Sequence, residues 1–277
     1  MPNSAPAPLP SLDALIEPIL SAGAAIMDVR AQGFEVFEKT DESPVTVADK
    51  RGEDIITKGL TELAPHIPVI GEEAKAAGTA PDVSGGLFWL VDPLDGTKEF
   101  IRGGTDFTVN IALIQDAAPI MGLVYAPAQN RIWGGTTQAA GGQTAWAANV
   151  EGGTLGARER ISTRKADAGK LTIVASKSHR SPELEDWLSH FPDAENISIG
   201  SSLKLVLLAE GKAAIYPRLG PTCEWDTAAA HAVLLAAGGH VSVPGGAPLT
   251  YGKDFETYLN PYFLCVGDTS FAVPALA

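Results

Sequence analysis

The chain has 277 residues, 45% hydrophobic and 19% charged, with a formal net charge of −13. This is the composition of a globular protein with enough length for one large core or two modest ones. The acidic field disfavours nucleic-acid polymers and anionic membranes and concentrates divalent cations. No apolar run approaches the roughly 18 residues that an integral membrane segment needs.

Residues 1–10, rich in Pro and Ala, lack both the basic and the apolar region of a secretory signal and read as a disordered N-terminal extension. Residues 12–31 place Leu12, Leu15, Ile16, Ile19, Leu20, Ala24 and Met27 at helical spacing, with Ser11 as N-cap. An edge strand over 34–38 and a polar turn over 40–44 follow. A second amphipathic helix spans 45–63, where Thr46 and Asp49 are spaced as a capping box. Val69 and Ile70 form a short strand ending at Gly71-Glu72-Glu73, and residues 76–86 form a Gly/Pro/Ala loop.

Residues 88–91 are a short buried strand, and two carboxylates three apart follow in Asp92-Pro93-Leu94-Asp95-Gly96-Thr97. Pro93 is expected to stop the chain from continuing as sheet. Asp92, Asp95 and the Leu94 carbonyl can then project to one side as hard oxygen donors suited to Mg²⁺. Gly96 tolerates backbone conformations closed to other residues. Thr97 opens a helical turn over 97–101 whose N–H groups favour a phosphate. The bland reading of the same residues is a structural Asp-Pro-x-Asp-Gly turn.

Strands over 107–113, 120–125, 131–134 and 144–147 suggest an antiparallel meander. The Gly-rich, charged stretch 151–169 is a boundary, dividing an N-terminal α+β subdomain (11–155) from a C-terminal α/β subdomain (156–277). In the latter, strands near 171–175, 197–199, 213–216, 240–243 and 262–266 alternate with helices over 182–190, 202–210 and 226–237. Cys223 and Cys265 have no metal-type spacing and read as small hydrophobes in a reducing cytoplasm.

Further residues have double readings. Glu72-Glu73 is a solvated pair or the source of one more ligand. Asp226 caps an almost wholly apolar helix or serves as a rigidly held ligand. Asp49 and Thr46 cap their helix, or Asp49 reaches Thr97 and the two orient a water. Ser201, Ser202 and Lys204 lie where a strand feeds a helix, and Arg218 follows the next strand, as an anion site would require. Ser176, His179 and Arg180 are weaker candidates.

Gly71-Glu72-Glu73, Asp92-Pro93-Leu94-Asp95-Gly96-Thr97 and Trp225-Asp226-Thr227-Ala228-Ala229 together resemble the inositol-monophosphatase superfamily of Mg²⁺-dependent, lithium-sensitive phosphatases. Further runs, Phe107-Thr108-Val109-Asn110-Ile111, Gly200-Ser201-Ser202-Leu203-Lys204 and Tyr216-Pro217-Arg218-Leu219-Gly220-Pro221-Thr222, resemble its CysQ-type 3′(2′),5′-bisphosphate nucleotidase branch. Gly71 departs from the Ser frequent in that branch, and Cys223-Glu224 varies a loop.

The resemblance implies a layered α+β and α/β sandwich, the sugar-phosphatase fold, with its site between the halves. It implies hydrolysis of the 3′-phosphate of adenosine 3′,5′-bisphosphate, with some activity on 3′-phosphoadenosine 5′-phosphosulfate, in sulfur metabolism. By the same resemblance Glu72, Asp92 and the Leu94 carbonyl hold one Mg²⁺. Asp92 bridges to a second ion shared with Asp95 and Asp226, and a third sits near Glu72. Thr97 and Asp49 position the water, Gly96 and Thr97 N–H groups hold phosphate oxygens, and Ser201, Ser202, Lys204 and Arg218 contact the nucleotide. An inositol monophosphatase or other sugar-phosphate phosphatase is the rival within this chemistry. A non-catalytic metal-binding regulator is the rival outside it. A homodimer and a loose inner-membrane association stay open.

Overall fold

A computed structural model describes residues 8–38, 44–175 and 181–276. Ser176, His179, Arg180, the first seven residues and most of the expected turn at 40–44 lie outside the described residues.

The first helical stretch starts as a 3-10 turn, Leu12–Leu15, whose N-cap Ser11 accepts the Ala14 N–H, and continues as α1, Ile16–Gln32. The edge strand β1, Val36–Glu38, pairs antiparallel with β2, Pro44–Thr46. That hairpin takes up Val45 and Thr46, so α2, Val47–Leu63, begins later than its amphipathic pattern suggests. Next come β3 (Val69–Gly71), α3 (Glu72–Ala76), β4 (Leu87–Asp95) and α4 (Thr97–Ile101). The meander is β5 (Thr108–Gln115), β6 (Ala118–Ala126), β7 (Arg131–Thr136) and β8 (Thr144–Glu151), with β9 (Thr154–Leu155) and β10 (Glu159–Arg160) folding back on β8. These strands make an eight-stranded sheet in which the β3–β4 pair is parallel and the others are antiparallel.

Pro93 does not stop the sheet. β4 runs through to Asp95, with Asp92 opposite Asn110, Asp95 opposite Thr108 and a slip of register between them. Pro93 and Leu94 occupy the bulge, where the ladder does not need a proline N–H.

The second half contains β11 (Thr172–Ala175), α5 (Pro182–Leu188), β12 (Glu195–Ser198), α6 (Leu203–Ala209), β13 (Ile215–Arg218), α7 (Glu224–Ala237), β14 (His240–Ser242) and β15 (Phe263–Val266). Its five strands are ordered β12-β11-β13-β15-β14. Glu224 is not in a variable loop as expected. It opens α7 fully buried, with an ion pair to Lys253 at 2.6 Å.

Alternation along β4 explains the layering. Trp89 and Val91 pack with α1 and α2, whereas Phe88 and Leu90 face α6, α7 and the second sheet. A strand covered on both faces reads as the unbroken apolar run seen in the sequence. Beyond the second sheet, Ile173, Ile215 and Leu264 pack against Leu184, Trp187 and Leu188 of α5. Helix and sheet layers therefore alternate.

α7 carries a buried histidine. The Tyr251 hydroxyl donates to Thr227 Oγ1 at 3.3 Å and stands 2.9 Å from His231 Nδ1, leaving that nitrogen to donate in the neutral ring. Burial, then the charge of His240, pushes the imidazole pKa down to about 3. The unfolded chain takes up this proton near pH 6.5. Stability from neutral His231 is therefore full above that pH and is lost as pH falls toward the folded value, at up to about 1.4 kcal/mol per pH unit. Urea unfolding of wild type and His231→Gln near pH 7 and near pH 5 should show a smaller acid loss in the variant; identical losses would reject this role.

Candidate active site

The parallel pairing of β3 with β4 brings the first two acidic motifs together. Gly71 is in register with Val91, so Glu72 and Asp92 leave the pair side by side. Asp92 is 1% exposed, and its Oδ1 accepts the Leu94 N–H at 2.9 Å, which holds the bulge in shape. Gly96 follows at φ 99°, and a Cβ there would stand 3.0 Å from the Asp106 carbonyl oxygen. The helical turn expected over 97–101 is α4.

Asp49 caps its helix and also reaches Thr97. Its Oδ2 accepts the Thr46 N–H at 2.7 Å and the Thr46 hydroxyl at 2.8 Å, closing the capping box of α2. Its Oδ1 lies 3.1 Å from the Thr97 hydroxyl, which is equally close to the Leu94 carbonyl. Asp226 is likewise both cap and wall. It stands at the third helical position of α7 rather than before the helix, accepts the Cys223 N–H at 2.9 Å, and lines the cavity.

That cavity, of about 600 Å³, is lined by Glu72, Asp95, Gly96, Thr97, Ser201, Ser202, Lys204, Arg218 and Asp226, drawn from both halves of the chain. Asp49, Asp92 and Leu94 are buried. The Ser202 N–H donates to Asp95 Oδ2 at 2.5 Å, tying the start of α6 to the end of β4. The Ser202 hydroxyl turns into the sheet, 2.9 Å from Asn110 Oδ1 and 2.8 Å from Thr108 Oγ1. Lys204, 9% exposed, donates to the Ser201 carbonyl at 2.8 Å. Arg218, 8% exposed, donates to the carbonyls of Gly220 and Pro221 at 3.2 and 2.6 Å.

Burial and mutual repulsion dominate the electrostatics. Burial first, then Glu72, Asp95 and Asp226, holds the Asp92 carboxyl well above its ordinary range. Asp226 is raised by burial, then Asp95 and Glu72. Burial raises Asp95 to about 6, against the lowering influence of Lys204, the Ser202 N–H and Arg218. Burial in turn brings Lys204 down to about 8, opposed by Asp95. Among the described residues no three His, Cys, Asp or Glu groups already close around one point. Like charges in a low dielectric have no reason to converge without a cation between them. The donors are all carboxylate or carbonyl oxygens, with no thiolate or imidazole, and their charge is concentrated and buried. They fit a hard divalent cation.

The sequence profile of the inositol monophosphatase family matches residues 10–261. The chain belongs to the inositol monophosphatase family. Among relatives within the family, it is 45% identical over 254 residues to 3′(2′),5′-bisphosphate nucleotidase CysQ of Escherichia coli K12, covering 91% of this chain and 98% of that one. It is 33% identical over 239 residues to the CysQ of Haemophilus influenzae, covering 84% of each. Of solved structures, CysQ from Bacteroides thetaiotaomicron, itself described as a bacterial member of the inositol monophosphatase family, superposes with a TM-score of 0.77. That pair is 37% identical, with 92% of this chain and 96% of that one covered. The inositol monophosphatase of Anabaena, at 22% identity and a TM-score of 0.70 over 93% and 90% of the two chains, shares the fold. Inositol monophosphatase family enzymes are metal-dependent phosphatases, in keeping with the oxygen donors described above.

Several cavity residues of this inositol monophosphatase family member have no role in the sequence reading. Tyr216 lines the cavity two residues before Arg218 on β13, so strand alternation places it on the same face and could have found it. Thr222 ends the run 216–222 already singled out in the sequence, whereas Asp106, whose Oδ2 accepts the Gly200 N–H at 3.4 Å, had no such signal, because its position depends on how the two halves dock. Lys98 on α4 and Arg102, its C-cap, lie at the cavity and are exposed. Among the described residues no helix is long and apolar enough to cross a membrane.

Proposed function

We propose that this protein is a Mg²⁺-dependent 3′(2′),5′-bisphosphate nucleotidase that hydrolyses the 3′-phosphate of adenosine 3′,5′-bisphosphate to AMP and phosphate. The observation that carries the substrate is the pair of nearly buried cations, Lys204 and Arg218, lining the same cavity as the carboxylates in a chain of net charge −13. Asp95 and three backbone carbonyls offset part of the cost of desolvating these two cations, and an anion bound in the cavity offsets more. A bisphosphate has a second anionic group to place there, and an inositol monophosphate has none. The names of the CysQ relatives support the same substrate.

Glu72, Asp92, Asp95, Asp226 and the Leu94 carbonyl would hold Mg²⁺, as two ions with a third near Glu72. When bound, Mg²⁺ neutralises the carboxylates and polarises the phosphoryl group. With the Leu94 carbonyl engaged as a metal ligand, the Thr97 hydroxyl would donate to Asp49 Oδ1, leaving the Thr97 oxygen to accept from the attacking water and aim it. Glu72, on the same cavity wall, completes this catalytic group. The opening N–H groups of α4, at Gly96 and Thr97, hold phosphate oxygens. The net reaction puts the water oxygen on phosphorus, breaks the bond from phosphorus to the ribose 3′-oxygen, and leaves a proton on that oxygen. Ser201, Lys204 and Arg218 hold the nucleotide, whereas Ser202, expected as a fourth contact, has its N–H on Asp95 and its hydroxyl on Asn110 and Thr108 and so fixes the wall instead.

The test is phosphate release with Mg²⁺ from adenosine 3′,5′-bisphosphate beside inositol 1-phosphate, with and without lithium. Lys204→Ala and Arg218→Ala should each lower kcat/KM for the nucleotide by about a hundredfold, or ~3 kcal/mol, and leave inositol phosphate turnover far less affected. Equal losses on both substrates, or a wild-type preference for inositol phosphate, would overturn the assignment.

A further inference from the structure

Glu53 lies one helical turn after Asp49 on α2, with its carboxylate turned away from solvent; the residue is 6% exposed. Its Oε2 accepts the Glu73 N–H at 2.8 Å and its Oε1 accepts the Ala74 N–H at 2.7 Å. Those are the second and third residues of α3, whose first residue is Glu72 and whose N-cap is Gly71. A Ser at the N-cap would satisfy one of these two donors from within its own segment. Gly71 offers no side chain, and its missing Cβ is what admits the carboxylate. A Cβ there would stand 2.4 Å from Glu53 Cδ and Oε2. A Ser at 71 and a Glu at 53 are therefore alternative caps for the same helix, and this chain uses the second.

We infer that Glu53 is a positioning residue that acts through Glu72: by capping α3 from a neighbouring helix, it fixes the backbone from which Glu72 projects into the cavity. The inference rests on the proposed metal role of Glu72. Room for the Glu53 carboxylate requires the glycine, and the cap that a Ser would have supplied comes from α2.

The experiment is calorimetric titration of Mg²⁺ into the full chain, wild type beside Glu53→Gln, Glu53→Ala and Glu53→Ala combined with Gly71→Ser. Removing an outer partner of a metal ligand weakens metal binding by about 10- to 100-fold, the loss expected of Glu53→Ala. Glu53→Gln, which preserves shape but turns one donor toward an N–H, should lose about threefold to tenfold. Adding Gly71→Ser should restore part of the affinity lost in Glu53→Ala, because the new hydroxyl takes over one of the two N–H groups. A cap that only stabilises the fold would lower the unfolding temperature and leave Mg²⁺ affinity unchanged. Glu53→Gln binding Mg²⁺ like a wild type that does bind it would overturn this inference alone, as would failure of Gly71→Ser to rescue. A wild type that binds no Mg²⁺ would overturn it together with the metal reading of Glu72.

Discussion

Replacing Asp92 by Asn should lower phosphate release by about a thousandfold or more, while the metal-free protein becomes no less stable. Both halves of that expectation come from the same surroundings. Asp92 is buried at the end of β4, and burial together with Glu72, Asp95 and Asp226 disfavours its charged form. Asn keeps the acceptor for the Leu94 N–H and removes a charge that burial and the neighbouring carboxylates disfavour. The charge is useful only when a divalent ion compensates it, so catalysis and metal-free stability pull in opposite directions at this residue. Mg²⁺ should raise the unfolding temperature of wild type and barely change that of Asp92→Asn. A variant that kept Mg²⁺-stimulated turnover within about tenfold of wild type would remove Asp92 from the metal site.

The second large effect lies where α7 packs on the sheet. Gly122 on β6 is in register with Gly135 on β7, and the row continues to Ala112 on β5 and Ala145 on β8. This band of small residues crosses four strands and forms a shallow trough for α7. A Cβ on Gly122 would stand 2.1 Å from the Ala229 carbonyl oxygen, and one on Gly135 would stand 2.6 Å from Val233 Cα. Those neighbours are helix backbone and cannot swing aside. Gly122→Val should therefore cost about 3 kcal/mol or more, measured by urea unfolding. Gly142→Ala, with nothing within 4 Å of its added Cβ, is the control and should be close to neutral. Because α7 also holds Asp226, whatever Gly122→Val leaves folded should bind Mg²⁺ more weakly. Unchanged stability would mean that α7 can lift from the sheet without loss.

Much of this was readable without coordinates because it is local. The Thr46 and Asp49 spacing states a capping box whatever surrounds it. Residues 97–101 form their helical turn because Gly96 can take the left-handed conformation before them. The apolar run at 88–91 is buried on both faces because nothing in it could face water. The order of motifs also pointed to the family, since each keeps its own short-range chemistry.

What escaped the sequence depends on partners distant along the chain. Pro93 reads locally as a stop, yet the pairing of β4 with β5 carries the strand through it as a bulge. Nothing near Glu72 says that it leaves the sheet beside Asp92; the parallel register of β3 and β4 decides that. Asp226 reaches the carboxylates of the first half because two glycines and two alanines on four strands leave room for its helix. Glu53 has no motif at all, and it matters because Gly71, eighteen positions later, has no side chain to occupy the same space. The sequence by itself determined turns, caps and the ligand types, whose energies act within a few residues. Tertiary structure decided which of them share one cavity, because that depends on the fit of surfaces that only the folded chain brings together.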